Sequence, residues 1–388
     1  MKIVISLMLV SSLSSALQLP IWLSLSAKAQ SKTEESIASR SFTQDKYNQL
    51  LWNEKDHNDW YEWWYFKVVD PKTKKSFYFC YGLVNPWDKL GTRESSKVFV
   101  NAGNFSGRKI VEERFLPNQF VANVGKLKED DIIFKASSGN LITPTSFHGD
   151  IISETSEHVS WSIQTKKTWS FNAMGWTMFI PEISNIYWYP AQANMEMTGW
   201  INFNGERIEL DKAHGYQDRN WGRSFPKWWA WIVSNNFKDS PTTKLASGGG
   251  MPNIKGIGEV FEGFTLGVSH LGRDYKFRFP DGDKIKLDIH FGKWHVDAIN
   301  KKNQRVIIDA FAPKEKFMLL PFTTPQGELF KDYEALNGAA RLRIYERENF
   351  FRPWKLIADL ETDEAGIEYG SFNELALQEA FTQSVHLQ

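Results

Sequence analysis

Asp281-Gly282-Asp283-Lys284-Ile285-Lys286-Leu287-Asp288-Ile289-His290 reads as a tight turn followed by a run in which charged and apolar side chains alternate strictly. A period of two with one apolar face and one wet face is the pattern of an antiparallel strand. A helix would repeat its apolar positions at three and four. Arg341-Leu342-Arg343-Ile344-Tyr345-Glu346 repeats the alternation. Outward from these segments, turn residues punctuate the chain at short intervals: Asp70-Pro71-Lys72, Asn85-Pro86, Asn104 to Gly107, Phe203-Asn204-Gly205, and Asn300 to Asn303. Short strands joined by such turns build sandwiches and barrels. A helical period appears mainly from Asn373 to Gln383, which predicts a short C-terminal helix. The fold class is therefore all-β. The chain has 388 residues, more than the roughly 250–300 that one hydrophobic core serves, so two antiparallel β-barrel or sandwich domains are expected. A boundary near Pro226 or in Asn236 to Pro241 divides them, the first giving 46–225 and 226–388.

Lys2, the uncharged apolar and Ser-rich run Ile3 to Leu25, and Ala27-Lys28-Ala29 before Gln30 have the plan of a secretory signal peptide over residues 1–29. The run is also long enough to stay as a membrane anchor. Residues 30–45 are polar and read as a flexible lead-in. An exported location follows, in a periplasm or a thylakoid lumen, with peripheral contact with a membrane. Lys and Arg (46) balance Asp and Glu (46), so no charge field exists to recruit nucleic acid. The lone Cys80 has no internal disulfide partner and no companion thiolates for a metal.

The common catalytic signatures are missing: no Gly-x-Ser-x-Gly elbow, no Walker loop, no dinucleotide fingerprint and no His-Glu-x-x-His. His290 and His295 lie five apart, on opposite faces if Leu287 to Val296 is one continuous strand, so no metal site is assigned. What stands out is 15% aromatic residues with 17 Trp, enough to line an extended apolar cavity. Two ring-rich segments also carry unusual polar residues. In Trp60-Tyr61-Glu62-Trp63-Trp64-Tyr65-Phe66, a strand puts Glu62, Trp64 and Phe66 on one face and Tyr61, Trp63 and Tyr65 on the other. A carboxyl among rings is desolvated and holds its proton more tightly, unless Glu62 pairs a buried Arg or caps an indole for structure. In His214-Gly215-Tyr216-Gln217-Asp218-Arg219-Asn220-Trp221-Gly222, an extended chain projects Tyr216, Asp218 and Asn220 to one side. That makes a proton-donating cluster, unless Asp218 pairs with Arg219, Arg223 or Lys227. Phe225-Pro226-Lys227-Trp228-Trp229-Ala230-Trp231 follows where the chain passes between the two domains, a common place for ligand clefts.

These segments carry a resemblance. Glu62 to Phe66 with Phe79 to Pro86, Gly215 to Gly222 with Phe225 to Trp231, Ala246 to Pro252, Gly292 to Val296, and Arg341 to Arg347 together resemble the tocopherol cyclase family, in order and over most of the chain. Tyr216 to Gly222 is more distantly similar to carotenoid 1,2-hydratases and lipocalin-like pericyclases. The resemblance implies two lipocalin-like domains with a ligand site in or between them, no cofactor or metal, and a hydrophobic small-molecule partner such as a prenylquinol. It implies chromanol ring closure by alkene protonation and phenol trapping. Asp218 is then the general acid, Tyr216 orients or relays the proton, and Glu62 is a second acid or a supporting partner. Trp64, Asn220, Trp221, Trp229 and Trp231 line the substrate. An alkene hydratase or pericyclase, and a carrier of hydrophobic molecules without chemistry, are the alternatives.

Overall fold

The computed structural model describes residues 46–373 apart from 126, 129, 130, 261 and 291. The leader, the lead-in and the C-terminal helix expected beyond Asn373 lie outside the described residues. The described chain is all-β, in two ten-stranded antiparallel sheets. The first contains β1 (Tyr61–Val69), β2 (Ser76–Val84), β3 (Lys97–Asn104), β4 (Lys109–Phe115), β5 (Phe134–Lys135), β6 (Leu141–Ile142), β7 (Ser146–Ile152), β8 (His158–Trp169), β9 (Ile186–Phe203) and β10 (Glu206–Gly222). The second contains β11 (Trp228–Ser234), β12 (Lys244–Gly250), β13 (Gly263–His270), β14 (Arg273–Arg278), β15 (Lys284–His290), β16 (Lys293–Ile299), β17 (Gln304–Phe311), β18 (Met318–Thr323), β19 (Leu329–Glu346) and β20 (Lys355–Ser371).

Both sheets curl toward closure. In the first, spatial order β4-β3-β2-β1-β10-β9-β8-β7-β6-β5, the edge strand β4 returns to β7, where Ile152 N donates to Glu113 Oε2 at 3.2 Å. In the second, order β14-β13-β12-β11-β20-β19-β17-β16-β15 with β18 on β19, a short turn at Phe279–Asp281 joins the two edges. There Arg278 N donates to Asp283 Oδ2 at 3.0 Å. Closing a sheet removes the unpaired edges that would otherwise template aggregation. The turn chemistry is as the sequence reads: Asn204 and Gly205 adopt φ of 52° and 89° between β9 and β10, a pair of left-handed residues matched to hairpin twist. Strand β15 alternates exposed and half-buried residues along its whole length.

The interior of the first barrel is filled by Trp64, Phe66, Phe79, Phe147 and Trp161, with Phe66 and Phe147 stacked at 4.1 Å. The second is filled by aliphatic residues of β13, β17 and β19 around Trp294 and Phe277. A third apolar cluster lies between the barrels, where Tyr61, Trp63, Tyr78 and Tyr216 of the first meet Trp231, Val233, Leu320 and Phe330 of the second. Both faces of β1 are thus covered, and every one of its residues but Tyr65 is fully buried. His290 and His295 correct one expectation. The chain turns between them, so His290 ends β15 and His295 lies in β16. The hairpin register puts both on the same outer face, each paired with its own carboxylate, Asp288 and Asp309.

Candidate active site

The seam between the barrels holds a cavity of about 540 Å³, lined mainly by aromatic and aliphatic side chains and glycines. That size suits a small organic ligand. Ile257 and Phe279, lining residues that remain exposed, mark its mouth.

The register of β1 on β10 sets one wall. Asn220, Asp218 and Tyr216 stand directly opposite Trp63, Tyr65 and Lys67, so all six share the face turned toward the second barrel. Asp218 is the polar centre of this wall. Trp188 Nε1 donates to its Oδ2 at 2.7 Å and Tyr216 Oη to the same oxygen at 2.8 Å. Tyr216 lies behind it, itself accepting from Trp231 Nε1 at 3.2 Å. Among the described residues no cation pairs with Asp218, so Arg219, Arg223 and Lys227 do not neutralise it. Burial pushes its pKa up to about 7, against the opposing pull of the Trp188 and Tyr216 hydrogen bonds. With both donors on Oδ2, a neutral Asp218 carries its proton on Oδ1. Gly248 permits this arrangement: a Cβ there would meet the Trp188 ring at 3.3 Å. Asn220 lines the cavity as expected, accepting from Trp63 Nε1 and donating to Tyr187 O, both at 3.2 Å.

The opposite wall comes from β11, β18, β19 and β20. Trp229 and Trp231 line it as expected. Sequence reasoning missed Asp332, Glu334 and Glu368, three carboxyl groups that border the same space. Glu334 stands directly across from Glu368 on β19 and β20, and Asp332 lies two residues along the same face. Trp229 Nε1 donates to Asp332 Oδ1 at 3.0 Å, and Tyr65 Oη donates to Glu334 Oε1. Burial raises all three proton affinities, that of Asp332 to about 7. Sequence reasoning also missed Trp63, Tyr65 and Trp188. The first two were legible as the face opposite Glu62, and Trp188 as one of the rings in Ile186-Tyr187-Trp188-Tyr189.

Glu62 and Trp64 point the other way, into the first barrel, and do not border the cavity. Glu62 instead binds the buried Arg219. It also accepts from Leu51 N (2.8 Å), Trp52 N (3.0 Å) and Trp60 Nε1 (3.1 Å). Arg219 Nη1 donates to Tyr47 O at 2.7 Å, and its guanidinium lies 4.2 Å from the Trp64 ring centre. With its carboxyl saturated by donors, Glu62 is a clamp holding residues 47–52 across the barrel end, not an acid in the cavity. Trp221 likewise lies outside, stacked between Tyr187 (5.4 Å) and Tyr47 (6.4 Å).

A largely apolar seam with rings around it and, on one wall, a buried carboxyl whose proton affinity is raised can offer a proton to a hydrophobic molecule. The tocopherol cyclase-like family model matches residues 58–371, which span both barrels. The chain belongs to the tocopherol cyclase-like family. A probable chloroplastic tocopherol cyclase from Oryza sativa subsp. japonica is 27% identical over 358 residues, covering 80% of this chain and 75% of its own. The chloroplastic tocopherol cyclase of Zea mays is 26% identical over 359 residues, covering 80% and 74%. Among solved structures, that of CghA with Sch210972 aligns with a TM-score of 0.50 at 9% identity, over 81% of this chain and 90% of its own, a likeness of fold. The two curled antiparallel sheets match the expected lipocalin-like all-β fold.

Proposed function

We propose that this tocopherol cyclase-like chain closes a chromanol ring on a prenylated hydroquinone, with Asp218 as the proton donor. The observation that carries the reading is Asp218 itself, lining the seam cavity with no counter-cation and with both hydrogen-bond donors on one oxygen. An alkene is a very weak base, so its protonation needs a neutral acid in a site without water. The Asp218 Oδ1–H bond breaks as a C–H bond forms, leaving a tertiary cation at the neighbouring carbon. The phenol oxygen then closes on that carbon and releases its own proton. The faces of Trp63, Trp188, Trp229 and Trp231 border this space, and each cation–ring contact offers about 2 kcal/mol when desolvated. Substrate and product are isomers, so the balance requires neither oxidant nor reductant.

The test is incubation of the purified protein with a panel of prenylquinols followed by chromatographic separation, which resolves a chromanol from its isomeric substrate, and mass analysis. Cyclisation leaves the mass unchanged while hydration adds one water, and binding with neither product supports the carrier. Binding has its own signature. A prenylquinol should quench intrinsic fluorescence saturably through Trp63, Trp188, Trp229 and Trp231. Phe replacements of Trp229 or Trp231 should diminish the change, whereas replacement of Trp221, outside the cavity, should not. A signal that survived both cavity replacements would move the ligand elsewhere.

The location read from residues 1–29 is part of the proposal: the enzyme meets its membrane-soluble substrate after export, at a periplasmic or thylakoid membrane face. Intact-mass analysis of protein from its native cell should find a chain beginning at or near Gln30. Retention of residues 1–29 would make the segment an anchor instead.

A further inference from the structure

The proposed cyclisation uses one carboxyl, Asp218, yet four border the cavity. Asp332, Glu334 and Glu368 stand on the barrel opposite Asp218, and among the described residues none of them has a cation within ion-pair reach. Three acids crowded on one face would repel one another if all were ionised, and the charge of Lys67 offsets this only in part and at Glu334, so burial and repulsion favour their protonated forms. Asp332 and Glu368 are diagonal neighbours across β19 and β20, close enough for the proton of one to bear on the other. The Trp229 indole steadies Asp332 from the other side at 3.0 Å. Glu368 has no other hydrogen-bond donor among the described side chains, and its residual open surface is that of a cavity wall. Asp332 thus accepts from the Trp229 indole with a second acid beside it, an arrangement suited to holding one proton between the pair.

The link between the walls is also visible. Tyr65 lies directly opposite Asp218 across β1 and β10, on the same face, and its hydroxyl reaches over the seam to Glu334. Trp231 stands directly opposite Glu368 across β11 and β20, and its indole reaches back to Tyr216, which holds Asp218. Hydrogen bonds from Tyr65 to Glu334 and from Trp231 to Tyr216 thus cross the seam, each beside one of its carboxyl groups.

We propose that Asp332 is the general base that takes the phenol proton as the chromanol ring closes, and that Tyr65 and Glu334 join it to Asp218 for the return of that proton. The inference rests on the cyclase reading above. Its balance is simple: Asp218 loses a proton to carbon, the phenol oxygen bonds to carbon, and the phenol O–H breaks with its proton ending on Asp332. One proton then moves from the Asp332–Glu368 pair back to Asp218, and the next turnover begins with the enzyme unchanged. Around the pair, the titratable side chains are Glu334 on its own strand, Tyr65 and Lys67 on β1, Tyr78 and Cys80 on β2, and Tyr216 and Asp218 on β10. Lys67 is the one cation among them; its ammonium donates to Glu364 O at 3.1 Å, and its charge opposes the rise in Glu334 proton affinity.

Two measurements on the full chain test this. With a prenylquinol that the wild type cyclises, kcat should trace a bell around neutral pH, since one carboxyl must be protonated and another ionised. Asp332→Asn should lower kcat at least 100-fold and remove the acidic limb from what remains. Glu368→Gln, which still offers Asp332 a donor, should be the milder variant. Wild-type kcat and an intact bell in Asp332→Asn would overturn the assignment. The second measurement needs no turnover. A prenylquinol with a saturated side chain should bind the wild type about 10-fold or more tightly than its O-methyl ether, because only the free phenol can donate to a carboxylate. Asp332→Leu should bind both alike, and a preference that survived in it would overturn the role of Asp332. Absence of cyclisation in the wild type alongside a phenol preference that depends on Asp332 would remove the cyclase reading and leave Asp332 as the phenol's partner. Failure of the wild type to bind either compound would remove both.

Discussion

Asp218→Asn should lose turnover by 100-fold or more while melting close to the wild type and binding prenylquinol nearly as well. Positioned general acids contribute about 10²–10⁴-fold, and an amide has no proton to give an alkene at any accessible pH. Structurally the change is mild. The amide oxygen of the replacement can keep the hydrogen bonds from Trp188 and Tyr216, and no buried cation loses a partner because Asp218 has none. The sign of the pH dependence follows from the same residue. With its pKa raised to about 7 by burial, Asp218 is charged before folding but neutral within the fold across the weakly acidic range. Activity that depends on its proton is therefore lost as pH rises above about 7. The stability its neutral form confers is fully present below the ordinary carboxylate range and is also lost as pH rises through about 7. Unchanged kcat in Asp218→Asn would return the chemistry to the opposite wall or leave the chain a carrier.

Glu62→Gln should give the opposite pattern, a large loss of stability with little effect on the chemistry. Glu62 and Arg219 are both fully buried, and the four donors aimed at the carboxylate include the guanidinium, two backbone N–H groups and the Trp60 indole. An amide would turn its NH₂ toward some of those donors and leave the Arg219 charge without its counterion. Breaking a buried pair in this way costs about 3–5 kcal/mol. For a domain of this size the melting temperature should fall by roughly 6–20 °C. Calorimetry measures the fall, and assays well below the transition should find catalysis near wild type. A Glu62→Gln variant that melts normally but is inactive would put Glu62 back among the catalytic groups.

The two variants show what the sequence could and could not reveal. Strand positions were legible because turn residues and alternation are local properties, as in Lys284 to His290. The alternation of β1 was also legible, grouping Glu62 with Trp64 and Tyr65 with Trp63. Which group meets the cavity was not, because both faces of β1 are buried, one in the barrel and one in the seam, so neither face is wet. The polar row Tyr216, Asp218 and Asn220 was read correctly as one side of β10, because the uninterrupted pairing with β1 keeps the alternation regular. The carboxyls of β19 were hidden for a different reason. Phe330-Lys331-Asp332-Tyr333-Glu334 looks like a solvated strand with mixed charges, and only the docking of a second barrel converts its acidic face into a cavity wall. That docking is a long-range event with no local signature.

Each barrel encloses a cluster of buried rings and aliphatic side chains, and the seam cavity lies in the joint between them. Stability and ligand shape therefore reside in separate parts of the molecule. A container that carries cargo in its bore must rebuild its own core to accept a new guest. Here the cavity lies outside both of those cores, and a different guest asks only for new side chains on two outer walls that already meet. The same separation makes dryness a property of assembly: if the barrels parted, water would reach Asp218, its proton affinity would fall, and the acid would disarm before a reactive cation formed in the open.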